Sequence, residues 1–346
     1  MSYAEDASVS PPPKIALERI AEPFIKWAGG KRQLVPHLLQ HVPKTIDCYH
    51  EPFAGGAALF FALAAEQQRR YVTARLADVN PDLVAAYIAV RDDVEGLIDL
   101  LQQHATDHAA DGAQHYYAIR ALDPETLSPT ARGARMIYLN RTCYNGLWRV
   151  NQSGRFNVPV GSYKRPRICD AIGLRLASQA LQDVTVECTS FDQALAPAQR
   201  GDFIYLDPPY VAATKSADFT AFSADGFKIE HQELLANAAR VCVKRGVTVL
   251  ASNADLPYTN ELYTTRGFQI ARVTAHRAIA ACKASRKNAE EILAIGEPAA
   301  PIKPAAPIEP AAPIEMTKTP VKAAAPAKAR RRQKHDTLTL PFIPKD

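Results

Sequence analysis

A chain of 346 residues with 47% hydrophobic and 22% charged content has the make-up of a soluble globular protein of two to three domains. No apolar run approaches the ~18 residues needed to span a bilayer, and Met1 to Pro13 is polar and Pro-rich with no hydrophobic signal core, which argues against a membrane span and against secretion. The formal net charge of +5 is uneven: nine Lys/Arg and four Asp/Glu fall from Pro298 onward, leaving 32 of each sign elsewhere, so an electrostatic footprint for nucleic acid on the neutral body has to be local.

Six cysteines, Cys48, Cys143, Cys169, Cys188, Cys242 and Cys282, lack C-x-x-C spacing and read as free thiols of a cytosolic protein. The pairs His37/His41 and His104/His108 have helical i,i+4 spacing without an H-E-x-x-H, so solvated helix faces are expected rather than a metal site.

In chain order, residues 1–22 read as a flexible arm. Pro23 to Arg32 follows, with an apolar entry, a Gly29-Gly30 turn and a helical stretch from Gln33 to Gln40. Glycines permit close backbone approach and a helix start offers free N–H groups, so an anion or cofactor corner is open here. The spacing of a P-loop is absent, and from this stretch alone a plain β-turn with two solvated lysines is the better-supported reading. Cys48 to Phe61 reads as strand, glycine turn and an apolar helix from Ala57 to Gln67. About twenty residues on, Leu76 to Asn80 reads as the end of a second strand, placing Asp78 where a carboxylate commonly accepts hydrogen bonds from ribose hydroxyls. The Gly55-Gly56 turn together with Asp78 favours a nucleoside-containing cofactor over a tight turn beside a helix-capping aspartate.

From Asp82 to about Asp183 apolar periodicity predicts helices, most clearly Leu83 to Gln103, Tyr116 to Leu122 and Ala131 to Tyr138. Between Arg141 and Arg167 lie six basic residues and no acidic one, interleaved with Tyr144, Trp148, Phe156 and Tyr163. Arginines reach phosphates or guanine edges, and aromatics or Leu and Asn at a turn can wedge between bases, so nucleic-acid contact is favoured over a solvated loop. Strand-like runs resume at Val184 to Cys188, Val247 to Ser252, Phe268 to Thr274 and Glu291 to Ile295, with a helix from Ile229 to Lys244. About seven strands alternating with helices predict an α/β fold with a mostly parallel sheet covered on both faces. Lys283, Arg286 and Lys287 offer a further phosphate contact.

The stretch Asp202 to Tyr210 organises the chain. Asp202 to Leu206 reads as a buried strand, Asp207 ends it, and Pro208 and Pro209 cannot continue a ladder. At the carboxyl edge of an open α/β sheet, where ligands bind, this presents a carboxylate, two unpaired prolyl carbonyls and an aromatic ring. Acceptors of that kind can hold an exocyclic amine of a nucleobase in a more tetrahedral geometry while the ring of Tyr210 stacks on the base. A strand merely ending in a Pro-Pro turn is the competing reading.

Beyond residue 297 the sequence becomes low-complexity. Ala299 to Pro304 recurs nearly unchanged from Ala305 and again from Ala311, which reads as an extended spacer, and Arg330 to Lys334 is a basic run that binds nucleic acid loosely.

Taken together, Lys26 to Lys31, Glu51-Pro52-Phe53, Tyr138 to Arg141 with Tyr144 to Leu147, Phe156 to Pro159 and the D-P-P-Y stretch resemble the DNA adenine-N6 methyltransferases of the Dam family, in the block order of the α group, D12 class. The resemblance runs from about Phe24 to Ile295. It implies a Rossmann-like methyltransferase domain over residues 23–85 and 183–297, a mainly helical target-recognition domain over 86–182, and a disordered basic tail over 298–346. It implies that S-adenosylmethionine is held by Trp27, Lys31, Asp78 and Asp207, with Gly29, Phe53, Gly55 and Phe191 beside them. Asp207, Pro208, Pro209 and Tyr210 would hold a flipped adenine, because its amine is otherwise engaged in pairing. Lys26, Tyr144, Asn145, Leu147, Arg149, Pro159 and Tyr163 stand at positions that touch DNA in members recognising GATC, and Arg141 and Lys164 are expected with them. Direct displacement from a sulfonium needs no metal. Double-stranded DNA is the implied partner, the chain is expected to be monomeric and cytoplasmic, in a bacterium or encoded by a phage or prophage, and Thr337 to Phe342 resembles the hexapeptides that dock on the bacterial sliding clamp, with Thr337 where glutamine is usual. Ala57 stands where the family has a second glycine, and Ala280 to Ala284 departs from its Ser/Asn/Gly-rich loop. Other enzymatic readings are methylation of cytosine N4, RNA or a protein amide; outside enzymes, a non-catalytic DNA-binding module is the alternative.

Overall fold

In the computed structural model, which describes residues 19–210, 227–276 and 288–299, seven strands form one sheet. The strands are β1 (Ile46–Glu51), β2 (Tyr71–Asp78), β3 (Val184–Cys188), β4 (Phe203–Leu206), β5 (Thr248–Ala254), β6 (Gln269–His276) and β7 (Asn288–Gly296), in the order β3-β2-β1-β4-β5-β7-β6. The first five are mutually parallel, and β7 inserts antiparallel between β5 and β6. This is the mostly parallel seven-stranded sheet that the alternation of strands and helices predicts. All described residues fall in one unit, Met1–Ala300, and the expected tail, its clamp-like hexapeptide and the Lys283, Arg286 and Lys287 contact lie outside them.

Ten helices accompany the sheet: α1 (Val35–Leu38), α2 (Ala58–Ala64), α3 (Pro81–Asp92), α4 (Val94–Ala110), α5 (Gly112–Ala121), α6 (Pro129–Thr142), α7 (Ala171–Leu181), α8 (Phe191–Leu195), α9 (Ile229–Arg245) and α10 (Pro257–Thr264) among the described residues. Strand side chains alternate between two cores, as the two-residue period requires. Phe203, Tyr205, Leu250 and Leu293 join the core under α2, α3, α6 and α7, whereas Ile204, Leu206, Val249, Ala251, Ile292 and Ala294 join the one under α9 and α10. Both faces are therefore covered, and this is why β4 reads as an unbroken apolar run.

The predicted helix from Leu83 to Gln103 is two helices. Asp93 leaves helical geometry and caps α4 by accepting from the Gly96 N–H at 3.2 Å, while Asn80 caps α3 ahead of Pro81. Gly133 lets α6 lie against α3, since a Cβ there would meet Ala89 Cβ at 2.5 Å. His104 and His108 do not form a solvated face: His104 stacks on Tyr138 and bonds His115 at 3.0 Å, and His108 shares a hydrogen bond with the Tyr138 hydroxyl at 2.9 Å. Burial holds His104 neutral, its pKa lowered to about 4. The five described cysteines are free thiols, no described helix is long and apolar enough to cross a membrane, and no cluster of three or more His, Cys, Asp or Glu suited to a metal occurs among the described residues.

Candidate active site

Parallel register brings the carboxyl ends of β1, β2, β4 and β5 to one edge, and the strand order reverses between β1 and β4, which is where such sheets bind ligands. Glu51 ends β1, Asp78 ends β2 and Asp207 follows β4. The antiparallel β7 adds to the same edge from the opposite direction, because Glu291 pairs with Ala254 at the end of β5.

Lys31 is the hub. It is buried, contrary to the solvated β-turn lysine that its own stretch suggested, and its ammonium lies 2.8 Å from Asp207 Oδ1 and 3.8 Å from Glu291 Oε2. It also donates to the Gly29 carbonyl at 2.9 Å and sits 4.6 Å from the Tyr210 ring centroid. Glycine is required at position 29, where φ is +80°. Tyr210 donates its hydroxyl to Glu291 Oε2 at 2.7 Å. Burial raises the Asp207 carboxyl above the usual range, opposed chiefly by Lys31. Glu51, wholly buried and bonded by the Tyr49 hydroxyl at 2.8 Å, is pushed up to about 8 by desolvation, so it is mostly neutral at pH 7.

The two prolyl carbonyls expected to be unpaired are not equivalent. Gln232, fully buried on α9, donates Nε2 to the Pro209 carbonyl at 2.8 Å, and Asn253 on β5 donates Nδ2 to Gln232 Oε1 at 3.0 Å. The acceptor at Pro209 fixes the direction of both amides, so this chain of hydrogen bonds clamps the peptide plane after Pro209.

On the other side of the switch point Asp78 accepts the Gly55 N–H at 3.1 Å and the Asn80 N–H at 3.0 Å. Desolvation nevertheless raises its pKa to about 6. Gly55 has φ +47° and lies under Trp27, whose Cδ1 would be 2.7 Å from an added Cβ; the Tyr87 hydroxyl holds its carbonyl at 3.0 Å. Ala57 is also left-handed, φ +48° and ψ +46°, which costs an alanine about 1–2 kcal/mol relative to right-handed geometry and explains why glycine suits that position. Phe53 and Phe191 stack with centroids 5.8 Å apart, and Phe227 meets both edge-on. The Asn80 Nδ2 is buried and has no hydrogen-bond partner among the described residues, a donor left over beside Asp78. A glycine cradle under an indole, a ribose-type carboxylate and an aromatic slot fit a nucleoside sulfonium cofactor.

A second group gathers around Lys26. Asn140 on α6 brackets its backbone, accepting from the Lys26 N–H at 2.9 Å and donating to its carbonyl at 2.7 Å, while Lys26 Nζ lies 4.5 Å from the Tyr163 ring centroid. The turn Tyr144 to Leu147 packs on Lys26: a Cβ at Gly146 would come within 2.9 Å of its Cδ, and both Asn145 and Gly146 have positive φ. Tyr144 is exposed and its N–H donates to the Pro159 carbonyl at 2.9 Å. Arg149, on an exposed hairpin, donates Nε to Asn157 Oδ1 at 2.8 Å. Leu147 is half-buried, and Pro159, Tyr163 and Lys164 are exposed.

Other members of the basic stretch are occupied elsewhere. Arg141 donates to the Phe24 carbonyl at 2.6 Å and is not brought to this group, and Arg155 and Arg167 pair with Asp123 and Asp170. Trp148 and Phe156 are buried against each other, centroids 4.4 Å apart, so they are core and not wedges between bases. Glu51, Gln232, Asn253 and Glu291 were absent from the predicted site. Glu51 carried a signal, an acid at a strand end like Asp207; Gln232, Asn253 and Glu291 lie in ordinary helix and strand patterns and carried none.

The strand order and the cofactor-shaped edge define a Rossmann-like, S-adenosylmethionine-dependent methyltransferase. The model of the D12 class N6 adenine-specific DNA methyltransferases matches residues 27–279. The chain belongs to that family, and its reaction is methylation of adenine N6 in DNA. It is 37% identical over 277 residues to the type II methyltransferase M1.LlaDCHI of Lactococcus lactis subsp. cremoris, covering 78% of this chain and 94% of that protein. The type II methyltransferase M.MjaIII of Methanocaldococcus jannaschii is 35% identical over 77% of this chain and 95% of its own length. The DNA adenine methylase of Escherichia coli K12 is 34% identical over 80% of this chain and 95% of its own length.

Proposed function

We propose that this DNA adenine methyltransferase acts on GATC in double-stranded DNA, on an adenine turned out of the duplex into the Asp207 to Tyr210 corner. The observation that carries this reading is the single segment from Lys26 to Lys31, one end of which packs on the Tyr144 to Leu147 turn while the other meets Asp207. Residues 86–182 then form the recognition part, and 23–85 with 183–297 the catalytic part.

S-adenosylmethionine supplies a methyl group on a sulfonium. Trp27, Gly29, Lys31, Gly55 and Asp78 would hold it, with Phe53 and Phe191 at the base end. Asp207 accepts one hydrogen of the adenine amine and the Pro208 carbonyl the other, since Gln232 already occupies the Pro209 carbonyl. That geometry turns the N6 electron pair toward the methyl carbon. The N6–C bond forms as the S–C bond breaks, its pair stays on sulfur, and the surplus N6 proton passes to Asp207, whose raised affinity for protons suits it as acceptor. Tyr210 stacks on the base.

Expression in a host without adenine methylation, followed by digestion of its plasmid with nucleases that differ in sensitivity to GATC methylation, tests the site. Protection at GATC is expected; modified adenines mapped to another sequence would overturn it. Lys26, Tyr144, Asn145, Leu147, Arg149, Pro159, Tyr163 and Lys164 form the proposed DNA face. Arg149→Ala is expected to cut the preference for GATC over single-substitution sites by roughly tenfold to a hundredfold, a bidentate base contact being worth about 1–3 kcal/mol. Ratios of kcat/KM on duplexes differing at one base pair measure this, and equal loss on every sequence would assign Arg149 to phosphate instead. The protein would act as a monomer in the bacterial cytoplasm. A sliding clamp engaged through Thr337 to Phe342 is a further proposed partner, tested by whether a tail peptide retains purified clamp.

A further inference from the structure

We propose that Glu291 is a positioning residue of the methyl transfer, one carboxylate that fixes the Tyr210 ring and at the same time shares Lys31 with Asp207. This rests on the reading of Asp207 to Tyr210 as the adenine corner and assigns a group that the corner depends on. Glu291 is 5% exposed and reaches the site from β7, which runs antiparallel to the strand bearing the corner. A tyrosine ring that stacks on a base swings about its Cα–Cβ bond unless its far end is held. The hydrogen bond of 2.7 Å from the Tyr210 hydroxyl to Glu291 holds it there. Lys31 closes the triangle, lying 3.8 Å from the same carboxylate oxygen, 4.6 Å from the face of the same ring and 2.8 Å from Asp207.

The arrangement also sets charge. Asp207 and Glu291 share one ammonium, so two carboxyl groups face a single cation, and with both ionised the cluster holds one negative charge that Lys31 does not offset. During transfer a positive charge moves from sulfur to N6, and a negative surplus centred on Asp207, where the amine is held, favours that charge as it arrives. Without Glu291, Lys31 would neutralise Asp207 alone and the surplus would vanish. Glu291 further raises the Asp207 carboxyl by like-charge repulsion.

The test compares Glu291→Gln, Tyr210→Phe and the double variant in the full-length protein. Single-turnover methylation of a duplex would be measured from pH 5 to pH 9, together with KM for both substrates, thermal midpoints, and the fluorescence of 2-aminopurine at the target position. Glu291→Gln is expected to lower kcat at least tenfold with both KM values within about threefold. The acid limb of its kcat profile moves to lower pH, because Asp207 loses the neighbour that raises it. Tyr210→Phe, which leaves the carboxylate in place, is expected to lower kcat and to change the 2-aminopurine signal, and Glu291→Gln added to it should lower kcat further through Lys31. Wild-type kcat and pH profile in Glu291→Gln would overturn the proposal, as would a loss that only follows a fall in thermal midpoint with the pH profile unmoved. Should Glu291→Gln fail to fold, a Tyr210→Phe enzyme with unchanged kcat and fluorescence would overturn it equally. An active Asp207→Ala would instead remove the underlying reading of the corner, whereas an inactive Asp207→Ala beside an unaffected Glu291→Gln would remove the role of Glu291 alone.

Discussion

Asp207→Ala is expected to lower single-turnover methyl transfer by at least about a thousandfold while moving the thermal midpoint by only a few degrees. Removing one preorganised polar partner of a transition state commonly costs 10²–10³ in rate, and here the same side chain also orients the nucleophile and accepts its proton. Stability is spared for a definite reason. The Lys31 ammonium would keep the Gly29 carbonyl, the face of Tyr210 and Glu291, so no buried charge is orphaned. Circular dichroism and a melting curve separate lost chemistry from lost fold. Retention of more than a tenth of the wild-type rate by a folded Asp207→Ala would remove this corner from the mechanism.

The fold was legible because its strongest determinants are local. β3 coincides with the apolar, β-branched run Val184 to Cys188, and α9 with the periodic stretch after Lys228. The break between α3 and α4 was not, because the apolar period runs through Asp93 and only the side-chain cap to Gly96 shows that the chain turns there. Periodicity also could not tell an exposed histidine pair from one whose rings rest on Tyr138, thirty or more residues away in sequence.

Legibility at the site divides the same way. Asp78 and Asp207 are readable because a carboxylate at the end of a buried strand, on the edge where such sheets bind ligands, bears a desolvation cost that a ligand can offset. Lys31 looked like a solvated turn lysine by itself, and its burial comes from acids that lie more than 170 residues further along the chain. A run of basic residues likewise gives the sign of a surface but not the direction of each side chain: Arg141 turns to the Phe24 carbonyl, and Trp148 and Phe156 fill a core. Gln232, Asn253 and Glu291 act only through tertiary contacts, so nothing in their own stretches marks them.

Cofactor affinity is expected to weaken about tenfold for each pH unit below about 6, through Asp78. Its carboxylate already accepts two backbone N–H groups, yet burial raises its pKa to about 6 from an ordinary value near 4. In the free protein a raised carboxylate pKa contributes stability at pH values below its unfolded pKa, and that contribution is lost as pH rises through about 6, so the folded state carries an unfavourable buried charge at neutral pH. Ribose hydroxyls donating to that charge would relieve it, so binding selects the ionised form and protonation competes with it. Above pH 7 the affinity should be flat. Asp78→Asn should bind S-adenosylmethionine weakly at pH 8, at least tenfold below wild type, and show no break near pH 6, because the amide has no charge to gain or lose. Isothermal titration of both proteins between pH 5 and pH 8 gives the comparison directly, and a wild-type affinity independent of pH across that window would detach Asp78 from the ribose.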